Sequence, residues 1–127
     1  MSDPLKRVLV VDDEAPLRDI LTRSLARCGF SVRSAPDAET ALRELERDAG
    51  VDAVVLDNNL PGMMGIQALP LIAKLTPAPV LLITGQPSPE TERDALLLGA
   101  KGLMPKPLDL AELTATLRAL TAARDAA

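Results

Sequence analysis

An open α/β sheet, doubly wound and built on five parallel strands, is the fold class this sequence predicts. Three observations carry the expectation. Short apolar runs alternate with helix-like stretches all along the 127 residues. The first, third and fourth of these runs are apolar nearly throughout, as strands covered on both faces are. Turn residues bound each of them. At this length one domain, residues 1–127, is expected, large enough to bury a continuous core without disulfides or a structural metal.

The strands are read from RVLVV (Arg7 to Val11), SVRSA (Ser31 to Ala35), DAVVL (Asp52 to Leu56), PVLLI (Pro79 to Ile83) and the short GLM (Gly102 to Met104). The first helix is expected from Pro16 to Arg27, with Leu17, Ile20, Leu21, Ser24 and Leu25 on one face, proline in its first turn and Gly29 past its end. The second begins near Asp37 and turns Ala38, Ala41, Leu42 and Leu45 inward. The third lies within Ile66 to Leu75, where Pro70 requires a late start or a bend. The fourth opens at SPETE, with Ser88 as cap and Pro89 at the first helical position, and stops at Gly99. The fifth opens at DLAEL, where Asp109 and Glu112 have capping-box spacing. Right-handed crossovers place helices on both faces. Five such pairs predict a flavodoxin-like (βα)5 sheet in the order 2-1-3-4-5, whose switch point lies between the first and third strands.

Composition excludes several function classes. A net charge of -4 and a single aromatic residue, Phe30, argue against direct binding of nucleic acid, which needs cationic surface and stacking rings. With no histidine, a Ser-His-Asp or Cys-His nucleophile, a histidine metal site and a phosphohistidine donor are impossible within the chain. Cys28 stands alone and is read as a small packed side chain. No apolar stretch approaches a membrane span, and MSDPLKR lacks the pattern of an export signal, so a cytoplasmic location is expected.

What remains is carboxylate, hydroxyl and ammonium chemistry at the carboxyl ends of the strands, where ligands bind in such folds. The first strand runs into Asp12, Asp13 and Glu14, the third ends at Asp57, the fourth at Thr84, and the fifth leads through Pro105 to Lys106. Carboxylates from the two strands that flank the switch point repel one another unless a cation or proton intervenes. Hard oxygen ligands without histidine or thiolate favour Mg²⁺ or Mn²⁺, which keep waters and accept phosphate oxygens. Lys106 can pair with one phosphoryl oxygen and the Thr84 hydroxyl can donate to another.

The acidic pair in VVDDE, Asp57 in VVLDNNLPGMMG, Thr84 in LLITGQ and Lys106 in LMPKP stand in a β/α frame that resembles the receiver domain of two-component response regulators over the whole chain. The resemblance implies that Asp57 is the phosphoryl acceptor and that Thr84 and Lys106 bind the transferred group. It implies that Asp12 and Asp13, with Asp57 and the backbone carbonyl of Asn59, arrange Mg²⁺, and that the Lys106-Pro107 bond is cis. The donor would be a phosphohistidine on a sensor histidine kinase or a histidine phosphotransfer protein. The output would be a downstream target or a fused output domain, with no membrane partner. Homodimerisation through the face of the fourth helix, fifth strand and fifth helix belongs to the same expectation. Such a chain is a signalling switch rather than a turnover enzyme, with weak autophosphorylation and autodephosphorylation of its own.

Two features depart from the family pattern or tune it. Leu103 stands three residues before the lysine, where receivers usually carry an aromatic ring, so an aromatic switch cannot operate. Asn59 and Gln86 occupy positions that in the family set how long the acyl phosphate survives. Leu96, Leu97 and Leu98 are consecutive on a helix, so one of them is expected to face outward. An unphosphorylated interaction module is the alternative that Leu103 invites, against which stand the intact acids, Thr84 and Lys106. A haloacid-dehalogenase-type phosphatase would carry Asp-x-Asp on its first strand, where this chain has Glu14 two residues after Asp12.

Overall fold

The strands stand in the order β2-β1-β3-β4-β5, all neighbours parallel, as expected. In this computed structural model, which describes residues 5–126, the elements alternate strictly. They are β1 (Lys6–Val11), α1 (Ala15–Arg27), β2 (Phe30–Ala35), α2 (Ala38–Arg47), β3 (Ala53–Asp57), α3 (Gly65–Leu75), β4 (Val80–Thr84), α4 (Pro89–Leu97), β5 (Gly102–Pro105) and α5 (Leu110–Ala126). Residues 1–4, which the sequence argued against as an export leader, lie outside the described residues. No described helix is long and apolar enough to cross a membrane.

The strands sort their side chains onto two faces because successive residues of a strand point to opposite sides. Leu9, Val11, Val54, Leu56 and Leu82 pack with Ala41 and Leu45 of α2, Ala68, Leu69 and Ile72 of α3, and Ala95 of α4. Val8, Val10, Val55, Leu81 and Ile83 pack on the other face with Leu21 and Leu25 of α1 and with Leu113 and Leu117 of α5. Every residue of β3 and of β4 is buried. This double coverage is why those runs carry no polar alternation.

The helix ends follow their capping chemistry. Asp37 accepts from the Thr40 amide at 2.7 Å, Ser88 from the Thr91 amide at 3.1 Å, and Asp109 from the amides of Ala111 and Glu112 at 2.9 and 3.1 Å. Gly29 and Gly99 close α1 and α4 with positive φ. Cys28 is the partly buried C-cap of α1, and its carbonyl accepts from Arg118 at 3.1 Å.

Two expectations are corrected and a third is narrowed. Of the two alternatives for α3 the late start is excluded: the helix begins at Gly65 and runs through the proline. Pro70 lies on its exposed side, while Ala68, Leu69 and Ile72 hold the opposite side against the sheet. Ile20 is 51% exposed rather than packed, because the buried stripe of α1 runs along Leu21 and Leu25 and Ile20 lies about 100° round the helix from it. All three leucines of α4's last turn face solvent, at 48, 78 and 41% for Leu96, Leu97 and Leu98. α4 sits on the sheet through one small buried residue, Ala95, and leaves the leucines nothing to pack into.

The first residue of α3 touches the end of β3. A Cβ at Gly65 would lie 2.4 Å from the carbonyl oxygen of Asp57 and 2.8 Å from Cα of Asn58, both backbone atoms. Glycine to alanine in a helix normally stabilises by about 1 kcal/mol. At Gly65 the clash is expected to reverse the sign and cost about 2 kcal/mol or more. At Gly102, where the nearest atom is the tip of Leu81 at 3.4 Å, alanine is expected to cost under about 1 kcal/mol. Urea unfolding of the two variants checks the contrast, and equal midpoints would contradict it.

Candidate functional site

Four strand ends converge on a single rim. Asp12 follows β1 and is fully buried: its amide donates to the Ala35 carbonyl at 3.1 Å, and its Oδ1 accepts from the Glu14 amide at 2.8 Å. Asp13, next in the chain, is exposed. Asp57 is the last residue of β3 and 1% exposed, with Oδ1 accepting from the Asn59 amide at 3.0 Å. Lys106 follows β5, its amide tied to the Thr84 carbonyl at 2.8 Å. Its Nζ lies 3.0 Å from Asp57 Oδ2 and 3.0 Å from Asp12 Oδ2. The Lys106-Pro107 bond is cis, as the resemblance implied.

Thr84 closes β4 between β3 and β5. It is buried, and its hydroxyl accepts from the Gln86 amide at 3.0 Å. Asn59 and Gln86 are both exposed beside the rim. Asp12 and Asp57 are therefore brought into direct contact with Lys106, Asp13 stands beside them without touching it, and Thr84 stands at the neighbouring strand end with its hydroxyl held by the loop that follows.

Burial pushes the Asp57 carboxyl above its ordinary range, with the Asp12 charge in the same direction, against the Asn59 amide and the Lys106 ammonium. For Lys106 burial acts against the charge, but hydrogen bonds and attraction to Asp12 and Asp57 win and hold it above its usual value. The signs follow by linkage. Asp57 binds its proton more tightly in the folded state, so its contribution to stability is present below the ordinary carboxyl value of 3.8 and is lost as pH rises through the raised one. The Lys106 contribution is present below 10.5 and lost only as pH rises through a still higher value. Near neutrality, ionised Asp57 is a cost that Lys106 offsets in part.

The donor set fits a hard divalent cation. One carboxylate oxygen each from Asp12, Asp13 and Asp57 lies within 4.8 Å of the others. When ionised, these three charges face one ammonium, which leaves two in excess. At an effective dielectric of about 20, each such pair costs about 3 kcal/mol. The groups are all oxygen, two of them are buried and one faces solvent, which suits an ion that retains water.

Two neighbours of the rim were not singled out in the sequence. Arg18, one turn into α1, donates from Nη1 to the Asp12 carbonyl at 2.6 Å and so braces the loop after β1. Asn58, 7% exposed, accepts through Oδ1 from the Ile66 amide at 2.9 Å. An arginine on a helix and an amide in a loop carry no signal of their own in one sequence. Beside Lys106 lies an apolar groove of about 540 Å³, lined among others by Leu17, Ile20, Leu108 and Leu110, which explains where the exposed side of Ile20 points.

The comparisons agree with this geometry. The response regulator receiver domain family matches residues 8–118. The transcriptional regulatory protein YrkP of Bacillus subtilis is 38% identical over 86% of this chain and 46% of its own length, and the chain spans about half the length of the curated relatives it matches. A CheY-like receiver domain from Methanospirillum hungatei superposes with a TM-score of 0.91 at 28% identity, covering 95% of this chain and 97% of that one. A response regulator from Burkholderia pseudomallei, solved with a phosphorylated aspartic acid, a calcium ion and citrate, does so at 0.84 and 28%, covering 95% and 71%. A five-stranded sheet in this order, an acidic rim with one lysine across it, and a family match over most of the chain lead to one conclusion: the chain belongs to the response regulator receiver domain family.

Proposed function

We propose that Asp57 accepts a phosphoryl group from a phosphohistidine on a sensor histidine kinase or a histidine phosphotransfer protein. The observation that supports this reading most is Lys106 Nζ at 3.0 Å from both Asp57 and Asp12, inside a cluster of three carboxylates. A carboxylate oxygen of Asp57 forms the new P–O bond as the P–N bond of the donor breaks. The electron pair returns to the ring nitrogen, which takes a proton and leaves. Lys106, already bonded to Asp57, follows the negative charge onto the phosphoryl oxygens. The Thr84 hydroxyl turns from the Gln86 amide to donate to one of them. Asp12, Asp13, Asp57 and the Asn59 carbonyl would hold Mg²⁺, which when bound neutralises charge on the phosphoryl oxygens. The phosphorylated aspartic acid and calcium ion of the Burkholderia relative support the same assignment.

The chain then acts as a switch in the cytoplasm, with weak phosphorylation and dephosphorylation activity of its own. The donor protein sits over the apolar groove beside Lys106, since its phosphoimidazole must reach Asp57 from that rim. The output is a downstream target or a fused domain, met through the α4-β5-α5 face, which also serves any homodimer. Leu103, packed with the α2-α3-α4 layer, replaces ring rotation by a shift in aliphatic packing as Thr84 moves.

Three measurements test this. Incubation with Mg²⁺ and acetyl phosphate is expected to add the mass of one phosphoryl group to the intact protein and none to Asp57→Asn. A gain on the variant would place the acceptor elsewhere, and no gain on the wild type, with candidate kinases also supplied, would favour an interaction module. Without divalent metal at pH 7, Asp57→Asn is expected to raise stability by about 1 kcal/mol, seen as a higher Tm by circular dichroism. Mg²⁺ should then stabilise the wild type more than the variant, and a lowered Tm would contradict the charge analysis. Gln86→Leu is expected to lengthen the life of the acyl phosphate if Gln86 orients the hydrolytic water, while an unchanged decay rate excludes that role.

A further inference from the structure

The loop between β3 and α3 is closed at its base by one side chain that the phosphoryl chemistry does not use. Asn58 is 7% exposed and sits immediately after Asp57. Its amide donates to the Ile83 carbonyl of β4 at 2.8 Å, which continues the sheet one residue past the strand. Its carbonyl accepts from the Gly65 amide at 3.0 Å, and its Oδ1 accepts from the Ile66 amide at 2.9 Å. Both amides belong to the first turn of α3, where backbone donors have no partner within the helix.

The usual source of such a partner is the N-cap side chain. Here the N-cap is Met64, which has no oxygen to offer, and the Gln67 side chain serves the Met64 amide from the other side at 2.9 Å. The cap for the helix interior therefore comes from six positions before the N-cap, from the residue that directly follows the strand carrying Asp57. The lack of a side chain at Gly65 is what lets the two backbones meet. Residues 59–64 are thus pinned at both ends to Asn58, and the first of them, Asn59, also donates to Asp57 Oδ1 at 3.0 Å.

We propose that Asn58 is a positioning residue for the metal-binding loop: by holding the amides of Gly65 and Ile66 it sets where the backbone of Asn59 stands relative to Asp57, and it couples cation binding there to the first turn of α3. The proposal rests on the reading that Asp12, Asp13, Asp57 and the Asn59 carbonyl hold Mg²⁺. It separates Asn58 from an ordinary cap, which would stabilise α3 without altering the affinity of the rim.

Calorimetric titration with Mg²⁺ of the wild type, Asn58→Leu, and Asn58→Leu combined with Met64→Ser tests it. Leucine removes the side-chain bond to the Ile66 amide and leaves the backbone bond from Gly65, and the serine gives α3 a conventional cap and restores its stability without rebuilding that side-chain tie. Asn58→Leu is expected to weaken Mg²⁺ binding about tenfold, as loss of a ligand-orienting partner does. The added Met64→Ser is expected to recover the unfolding temperature and leave the Mg²⁺ affinity weak. Unchanged affinity in Asn58→Leu, or affinity recovered together with stability, would overturn the proposal. If the wild type itself binds no Mg²⁺, the metal reading fails and the inference with it, which the first titration reports independently of the variants. Should Asn58→Leu not fold, hydrogen exchange in the wild type decides: saturating Mg²⁺ is expected to slow the Gly65 and Ile66 amides severalfold, and unchanged exchange at both overturns it.

Discussion

The contact on which the rest of the structure depends is Lys106 Nζ shared between Asp12 and Asp57. Asp12 and Asp57 stand at the ends of the adjacent strands β1 and β3, whereas Lys106 follows β5, which is separated from β3 by β4 and from β1 by one strand more. With strands about 4.8 Å apart, the lysine has to reach across roughly 10 Å to meet β3. A long flexible side chain can do this, and in doing so it roofs the end of β4, where Thr84 is buried. One ammonium thereby compensates the acids that the topology forces together, and it draws the far edge of the sheet into the same site as its centre.

How much of this was legible in the sequence depends on whether a feature is carried by a run or by a contact. The five strands were legible because double burial makes them apolar, and the rim was legible because each of its members follows a strand directly. α1, α2, α4 and α5 announced themselves through caps and stops. Pro70 left the start of α3 open because the rule against proline inside a helix is local, whereas the burial of Leu69 and Ile72 that carries the helix through it is tertiary. Ile20 and the leucines of α4 misled because hydrophobicity indicates burial only where a neighbour is available, and α4 meets the sheet through Ala95 alone. Arg18 and Asn58 were invisible because their significance lies in a partner six and eight residues away, on a backbone whose path the sequence does not state.

The two sides of the site are braced differently. On the β1 side, Arg18 reaches back from α1 to the Asp12 carbonyl, and the Glu14 amide holds the Asp12 carboxylate. On the β3 side, the bracing comes through Asn58 and the close approach of Gly65. Helices from opposite faces of the sheet thus each hold one acid. Each acid is thereby fastened to a different helical layer, and the layer containing α3 also includes Leu103 and α4, which carries the exposed leucines.

The pairing of the sheet has a consequence for how such a chain can change over time. Asp57 is in register with Ile83, Thr84 with Pro105, and Val11 with both Ala35 and Leu56. Inserting or deleting one residue inside β1, β3 or β4 would swap the two faces of that strand and bury its neighbours' partners in the wrong layer. At the opposite end of the sheet, the segments around Asp48 to Val51 and Thr76 to Ala78 are held by a few buried side chains and single contacts, such as the Thr76 hydroxyl on the Ala49 carbonyl at 3.1 Å, rather than by a repeating register. Length can therefore drift at one end of the molecule, whereas the other end counts residues, and homologues should vary in size on the side facing away from the acids.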